Sequence, residues 1–370
     1  MSPSATDPTL VPEATPPAAA APAPRAPSKL RARLILLLKI GLSALLLYVL
    51  LRQGMFDGQA LRRALTSPSA IALSLLLGIV GISSSGVRWW ILLRYEGVHI
   101  PLAQALQLTW IGHFFNMVFP GAVSGDAVKM YYVGQAVAAD RREEAWTTVL
   151  ADRVIGMIAL VSVATVACLL SLDLVWAQPE LRLLLLLMGG LLVASLAGGV
   201  LVASGVLTRG WVARTTARLP LGASLGRATA VLERLGRNWQ GVLVSFAISF
   251  VAHGVSVTNG YVLGRAAGAG DQLGFLQFST TIPLAMFSNA IPITPGGLGV
   301  GETFLGKLFA WSGGSQEDGV TVMLLFRANF YALAALGALC YLAYRRSAPA
   351  LGVQAAPAGP GTSDGSHCAS

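Results

Sequence analysis

Long apolar stretches separated by short polar intervals follow one another along most of the chain. About six of them have the length that a helix needs to cross a bilayer, which is about 20 mainly apolar residues. They occupy residues 34–51, 71–93, 145–171, 181–207, 241–263 and 320–344. Because a helix satisfies its backbone hydrogen bonds internally, it is stable inside lipid. The pattern therefore predicts an all-α, polytopic membrane protein with about six full transmembrane helices.

Two further apolar segments are each interrupted by proline and glycine. Residues 102–137 are broken at Phe119-Pro120-Gly121, and residues 275–311 are broken at Thr294-Pro295-Gly296-Gly297. Proline removes an N–H donor and glycine permits positive φ, so each helix is expected to stop and restart at its break. We predict two re-entrant hairpins that face opposite ways, one in each half, as in inverted repeats around a midplane site.

Composition supports the membrane assignment and excludes two other classes. Only 12% of the residues are charged, whereas soluble domains carry about 25%. The mean hydropathy of +0.65 agrees with this deficit. The net charge of +9 comes mainly from arginines that stand between apolar runs, as flanking charges do in membrane proteins. A soluble domain and nucleic-acid binding are therefore both excluded.

The basic intervals predict the orientation of the chain. Residues 208–240 form a basic linker, which is predicted to be cytoplasmic together with Arg345-Arg346 and both termini. The loop at 172–181 carries Asp173 and Glu180 and is predicted to be outside. The interval 52–69 argues against this orientation, because it holds three arginines but is placed outside.

The ends of the chain differ in composition from the rest. Residues 1–29 and 347–370 are rich in alanine and proline or glycine, and they bury too little apolar surface to fold. Both are predicted to be disordered tails around a transmembrane domain at 30–346. The first apolar run is longer than a signal-peptide core and has no small-residue cleavage site after it, so we expect it to remain uncleaved.

Both breaks carry the same order of chemical groups: an asparagine, Pro-Gly, a further glycine and then a carboxylate. The first extends from Asn116 to Lys129 and the second from Asn289 to Glu302. A helix that restarts presents free N–H groups and a dipole that favour an anion such as phosphate. The alternative is that the breaks are simply tight hairpin turns.

Charges inside apolar runs are costly, at about 2.5–3.5 kcal/mol each at a helix centre. Asp152-Arg153 form one carboxylate–arginine set, and Arg327 has Glu302 as a plausible partner. Each set is either a structural ion pair or part of a headgroup site.

Arg88 is expected to extend to the interface beside two tryptophans. The predicted substrate-binding residues are Asn116, Pro120, Gly121, Gly125, Asp126, Lys129, Asp152, Arg153, Asn289, Pro295, Gly296, Gly297, Gly299, Glu302 and Arg327.

Motifs for catalysis and for cofactors are missing from the sequence. It contains no Gly-x-x-x-x-Gly-Lys-Ser/Thr loop and no His-Glu-x-x-His, and its cysteines and histidines have no metal-ligand spacing. We therefore expect a protein that is not an enzyme and that binds no cofactor and no metal.

The two breaks and one further motif together resemble the lysylphosphatidylglycerol synthase transmembrane family over residues 34–344. The motifs are Phe115-Asn116-Met-Val-Phe-Pro120-Gly121 with Ser124-Gly125-Asp126, then Asp152-Arg153-Val-Ile-Gly156, and Ile291-Pro292-Ile-Thr-Pro295-Gly296-Gly297-Leu-Gly299-Val-Gly301-Glu302. In the family's best-understood members this part is similar to a lipid flippase, and a soluble aminoacyltransferase domain follows it. Here only the short stretch 347–370 follows Arg346, so the resemblance implies a stand-alone member without that domain.

These observations predict a protein of the bacterial inner membrane that translocates a polar or anionic lipid between leaflets. Arg153 and Arg327 would offset phosphate charge, while Asp126 and Glu302 would orient them or bind a cationic headgroup. Two alternatives stay open. One is a membrane subunit of a lipid- or glycan-modifying system whose transferase is a partner on another chain, and the other is a small-solute secondary transporter. The oligomeric state is left open.

Overall fold

A computed structural model describes residues 58–118, 124–203, 239–269, 272–289 and 297–347, together with the isolated positions 37, 41, 45, 48, 52 and 233. Both predicted tails, nearly all of the first apolar run and nearly all of the basic linker lie outside the described residues. So do four of the predicted binding residues, namely Pro120, Gly121, Pro295 and Gly296.

The described part of the chain is helical almost throughout and contains no strand, which confirms the all-α prediction. A 3₁₀ turn at Ala139–Arg141 leads into one of the long helices. The helices are α1 Gly58–Leu65, α2 Pro68–Tyr95, α3 Leu102–Val118, α4 Ser124–Ala136, α5 Arg142–Leu170, α6 Leu172–Ala177, α7 Pro179–Ala203, α8 Trp239–Ala267, α9 Phe275–Asn289, α10 Val300–Trp311 and α11 Gln316–Ser347.

Five of the described helices are long and apolar enough to cross a membrane: α2, α5, α7, α8 and α11. They match five of the six predicted spans, and the sixth is the first apolar run. Helix α7 differs from the others because only 6% of its most apolar window is buried inside the protein, against 56% for α5. Helix α7 therefore lies at the edge of the bundle, where its leucines are available to lipid.

Two units of four helices repeat the same order of long, short, short and long. The first unit is α2–α5 and the second is α8–α11. Helices α2 and α8 pack antiparallel, since Tyr95 at the end of α2 lies against Gly241 at the start of α8. The short helices of each unit also reach across, because α3 packs on α11 and α9 packs on α5. This reciprocal packing of antiparallel counterparts is the arrangement of an inverted repeat.

The core consists mainly of two apolar clusters. One surrounds Phe278 and Phe309 in the second unit, whose rings meet edge to face at 5.1 Å. The other surrounds Trp89 and Leu108 in the first unit. These clusters fix α3, α4, α9 and α10 against the long helices, so the charged residues that follow each break are held in the interior.

Candidate functional site

The second break is closed by a carboxylate and an arginine. Glu302, in the first turn of α10, is fully buried. Its Oε2 accepts a hydrogen bond from the backbone N–H of Gly299 at 2.8 Å, and Arg327 Nε donates to its Oε1 at 2.7 Å. Arg327 Nη2 also donates to the carbonyl of Gly297 at 3.2 Å. The predicted Glu302–Arg327 contact is thus present, and it joins the break to α11.

Backbone conformation explains the glycines at this break. Gly297 has φ of 71° and Gly299 has φ of 81°. Residues with a Cβ rarely adopt this left-handed region. Gly299 can therefore stand at the N-terminus of α10 and present its N–H to Glu302.

The contacts at the first break involve an asparagine and a second carboxylate–arginine pair. Asn116, near the end of α3, accepts a hydrogen bond on Oδ1 from the backbone N–H of Gly125 at 2.8 Å. Next to it, Arg153 Nη1 lies 2.6 Å from Asp126 Oδ2. The Arg153 side chain is 40% exposed, whereas that of Arg327 is 11% exposed. The first pair is therefore open to its surroundings and the second is enclosed.

The two breaks occupy matching positions in their units. Asp126 and Glu302 are each the third residue of their helix, α4 or α10. Counted from the first residue of α5 and of α11, Arg153 and Arg327 stand at the same position. The same holds for Asn116 and Asn289, counted from the first residue of α3 and of α9. The repeat predicted from the two breaks therefore extends to the helices that carry the charges.

The predicted pairing of Asp152 with Arg153 is wrong. Asp152 Oδ1 accepts a bond from Arg88 Nε at 2.6 Å, and its Oδ2 lies 3.8 Å from Lys129 Nζ. Arg153 binds Asp126 instead. Consecutive residues on a helix do not face each other, so Asp152 and Arg153 point toward different neighbours.

Arg88 does not extend to the membrane surface, so that expectation is also wrong. It is 8% exposed and donates to Ser249 Oγ at 2.7 Å and to Ser85 Oγ at 3.3 Å, in addition to Asp152. A Cβ on Gly156 would lie 3.1 Å from its Nη1. Ser85, one helical turn before Arg88, was the sequence feature that could have indicated a buried hydrogen-bond network around this arginine.

The charged side chains of the two breaks and their neighbours are not distributed equally between the units. In the first unit, the basic side chains of Arg88, Lys129 and Arg153 contact the acidic side chains of Asp126 and Asp152. Lys129 Nζ also lies 4.1 Å from the centre of the Trp89 ring. In the second unit, the positions matching Arg88, Lys129 and Asp152 carry the uncharged residues Asn259, Leu305 and Phe326.

The fold and the site together define a polytopic α-helical membrane protein built from two inverted units, each with a carboxylate–arginine pair after a break. The family model of the lysylphosphatidylglycerol synthase TM region matches residues 36–337, and the chain belongs to this family. It is similar to the UPF0104 membrane protein PH1989 of Pyrococcus horikoshii. The two are 24% identical over 301 residues, which cover 75% of this chain and 87% of the relative.

Proposed function

We propose that this protein moves a polar or anionic lipid between the leaflets of a bacterial inner membrane, as a transporter and not as an enzyme. The observation that carries the proposal is the repeated carboxylate–arginine pair at the start of the helix after each break. Charged residues at membrane depth are costly, and they usually mark the path of a substrate or an ion. Membership of the family is in accord with this role but does not name the lipid.

The proposed mechanism exchanges one partner of each arginine. Without lipid, Asp126 holds Arg153 and Glu302 holds Arg327. A guanidinium binds phosphate in the same forked geometry as carboxylate. An arriving headgroup phosphate can therefore take over N–H donors of the arginine while the carboxylate faces any amine on the headgroup. The more exposed Arg153 would meet the headgroup first in this conformation.

The energy source and the partners are part of the same proposal. The sequence has no ATP-binding loop, so transport would be passive, coupled to an ion or driven by another protein. The predicted transferase partner on a separate chain and the solute-transporter alternative remain competing proposals.

Replacing Arg153 with alanine is expected to slow lipid movement at least tenfold, equivalent to about 1.4 kcal/mol in the barrier. The measurement uses purified protein in vesicles with a fluorescent phosphatidylglycerol, and follows how much label an impermeant quencher reaches over time. The matched control is Arg346→Ala, which removes an exposed arginine at the end of α11. Wild-type rates in Arg153→Ala would remove this residue from the mechanism. Background rates in the wild type would favour an accessory subunit.

The proposed orientation places both termini and the basic linker in the cytoplasm. The test replaces Cys168, Cys340 and Cys368 with serine and then introduces one cysteine at a time. Trp176→Cys, at a position that is 64% exposed, should react with an impermeant maleimide on intact cells. Arg218→Cys and Arg346→Cys should react only after the cells are opened. The reverse pattern would invert the orientation.

A further inference from the structure

A cavity of about 270 Å³ lies where α2 and α8 meet, separate from the two carboxylate–arginine pairs. Most of its wall is apolar, but it is also lined by Ser85, Arg88, His253, Ser256 and Asn259. A largely apolar wall with a few convergent polar groups is the usual character of a small-molecule site. None of these five residues belongs to the breaks.

Both units contribute polar side chains to the cavity, Ser85 and Arg88 from α2 and His253, Ser256 and Asn259 from α8. Counted from the first residue of α2 and of α8, Arg88 matches Asn259 and Ser85 matches Ser256. Since α2 and α8 run antiparallel, matching positions can line one cavity only near the pseudo-two-fold axis that relates the units. In transporters with inverted repeats this axis lies in the membrane plane, and substrates bind near the bilayer midplane at the interface between the repeats.

Asn259 has an unsatisfied polar atom. The residue is 3% exposed, and its Oδ1 has no hydrogen-bond partner within the part of the chain that the structure describes. Leaving a buried acceptor without a donor is destabilising, because the atom has lost its hydrogen bonds to water and gained none in return. Oδ1 accepts hydrogen bonds only, so the partner that it lacks is a donor such as a hydroxyl or an ammonium group.

Arg88, at the position that matches Asn259, supplies hydrogen-bond donors where Asn259 supplies an acceptor. A guanidinium has five N–H groups, and three of them donate to Asp152, Ser249 and Ser85. Two N–H groups are left without a partner among the described residues. Asp152 is shared between Arg88 and Lys129, so an anion beside Arg88 would supply a further acceptor for the guanidinium.

We propose that this cavity binds a phosphate ester that carries a hydroxyl or amine group, with the phosphate at Arg88 and the hydroxyl or ammonium at Asn259 Oδ1. This assignment rests on the proposed lipid transport for its physiological meaning. Its chemistry applies equally to a lipid headgroup and to a soluble phosphate diester. The difference between the matching positions, Arg88 and Asn259, would then fix which end of the headgroup points toward which unit.

The test measures binding to the purified full chain, with no transport step. One arm titrates soluble glycerophosphoglycerol, and the other compares nanodiscs of phosphatidylglycerol with nanodiscs of phosphatidylcholine. Asn259→Leu should keep or raise thermal stability, because it removes a buried acceptor that has no donor, yet it should weaken binding at least tenfold. Arg88→Lys keeps the charge but loses the fork, and it should also weaken binding. The control is Thr258→Val, which changes the adjacent residue outside the cavity lining.

The outcomes separate this assignment from lipid transport itself. Binding of the soluble ester that is lost in Asn259→Leu supports a site for the ester, and binding seen only in phosphatidylglycerol nanodiscs supports a lipid headgroup. Unchanged binding of both probes in a folded Asn259→Leu variant would overturn the assignment, even if the protein moves lipid. A wild-type protein that binds the probes but moves no lipid would instead contradict the proposed function and leave the cavity assignment standing.

Discussion

Replacing Arg327 with alanine is expected to cost about 3–5 kcal/mol in the free energy of unfolding, as removal of one member of a buried pair does. Glu302 is fully buried and would lose its charge partner while keeping only the N–H of Gly299. The same change in the other unit, Arg153→Ala, should cost far less, because Arg153 is 40% exposed. Thermal unfolding in detergent measures both variants under one condition.

A second substitution distinguishes the structural from the functional role of this pair. In Arg327→Ala combined with Glu302→Gln, the uncompensated charge is gone, so part of the lost stability should return. Lipid movement should stay at background in both variants if Arg327 binds the headgroup. Recovery of lipid movement together with stability would show that the pair only supports the fold. Equal stability losses for Arg327→Ala and Arg153→Ala would contradict the difference in burial.

Gly125→Ala is expected to cost about 3 kcal/mol in the free energy of unfolding, at the upper end of the usual cost of overpacking. The added Cβ would lie 2.0 Å from the carbonyl oxygen of Gly112 and 2.7 Å from the amide nitrogen of Asn116. The first contact is with backbone, so no side-chain rotation relieves it. Helices α3 and α4 would have to separate, and the bond from Gly125 to Asn116 would be lost.

The control for this variant is Gly189→Ala in α7, where nothing lies within 4 Å of the added Cβ. Alanine is a better helix former than glycine by about 1 kcal/mol, so this variant should be as stable as the wild type or slightly more stable. The unfolding midpoint and the yield of monodisperse protein in detergent measure both. If the two variants unfold at the same temperature, the close approach of α3 and α4 does not contribute to the stability of the protein.

The helices themselves were largely predictable, because they depend on local properties of the chain. Run length and apolar composition predicted the five described spans, and the described parts of α3 and α9 lie before their Pro-Gly motifs, as expected. The carboxylate after each break was also visible, because Asp126 and Glu302 follow their breaks directly in sequence. Their partners were harder to identify. Glu302–Arg327 was anticipated, and Asp126 was expected either to orient an arginine or to bind a headgroup, whereas the contacts of Asp152 with Arg88 and Lys129 were missed.

Only the tertiary structure decided which buried charges meet. Asp152 and Arg153 are adjacent in sequence but face different neighbours, whereas Arg88 binds Asp152 and Ser249, which lie on helices far from it in sequence. The direction of a side chain on a helix depends on its angular position, and its partner depends on which helices pack together. The cavity between Arg88 and Asn259 depends in the same way on the antiparallel packing of α2 and α8. The sequence by itself therefore determined the spans, the breaks and the charged residue types, because chain-local forces govern them. Helix packing determined the pairs and the cavity, because these are properties of segments that are distant in sequence.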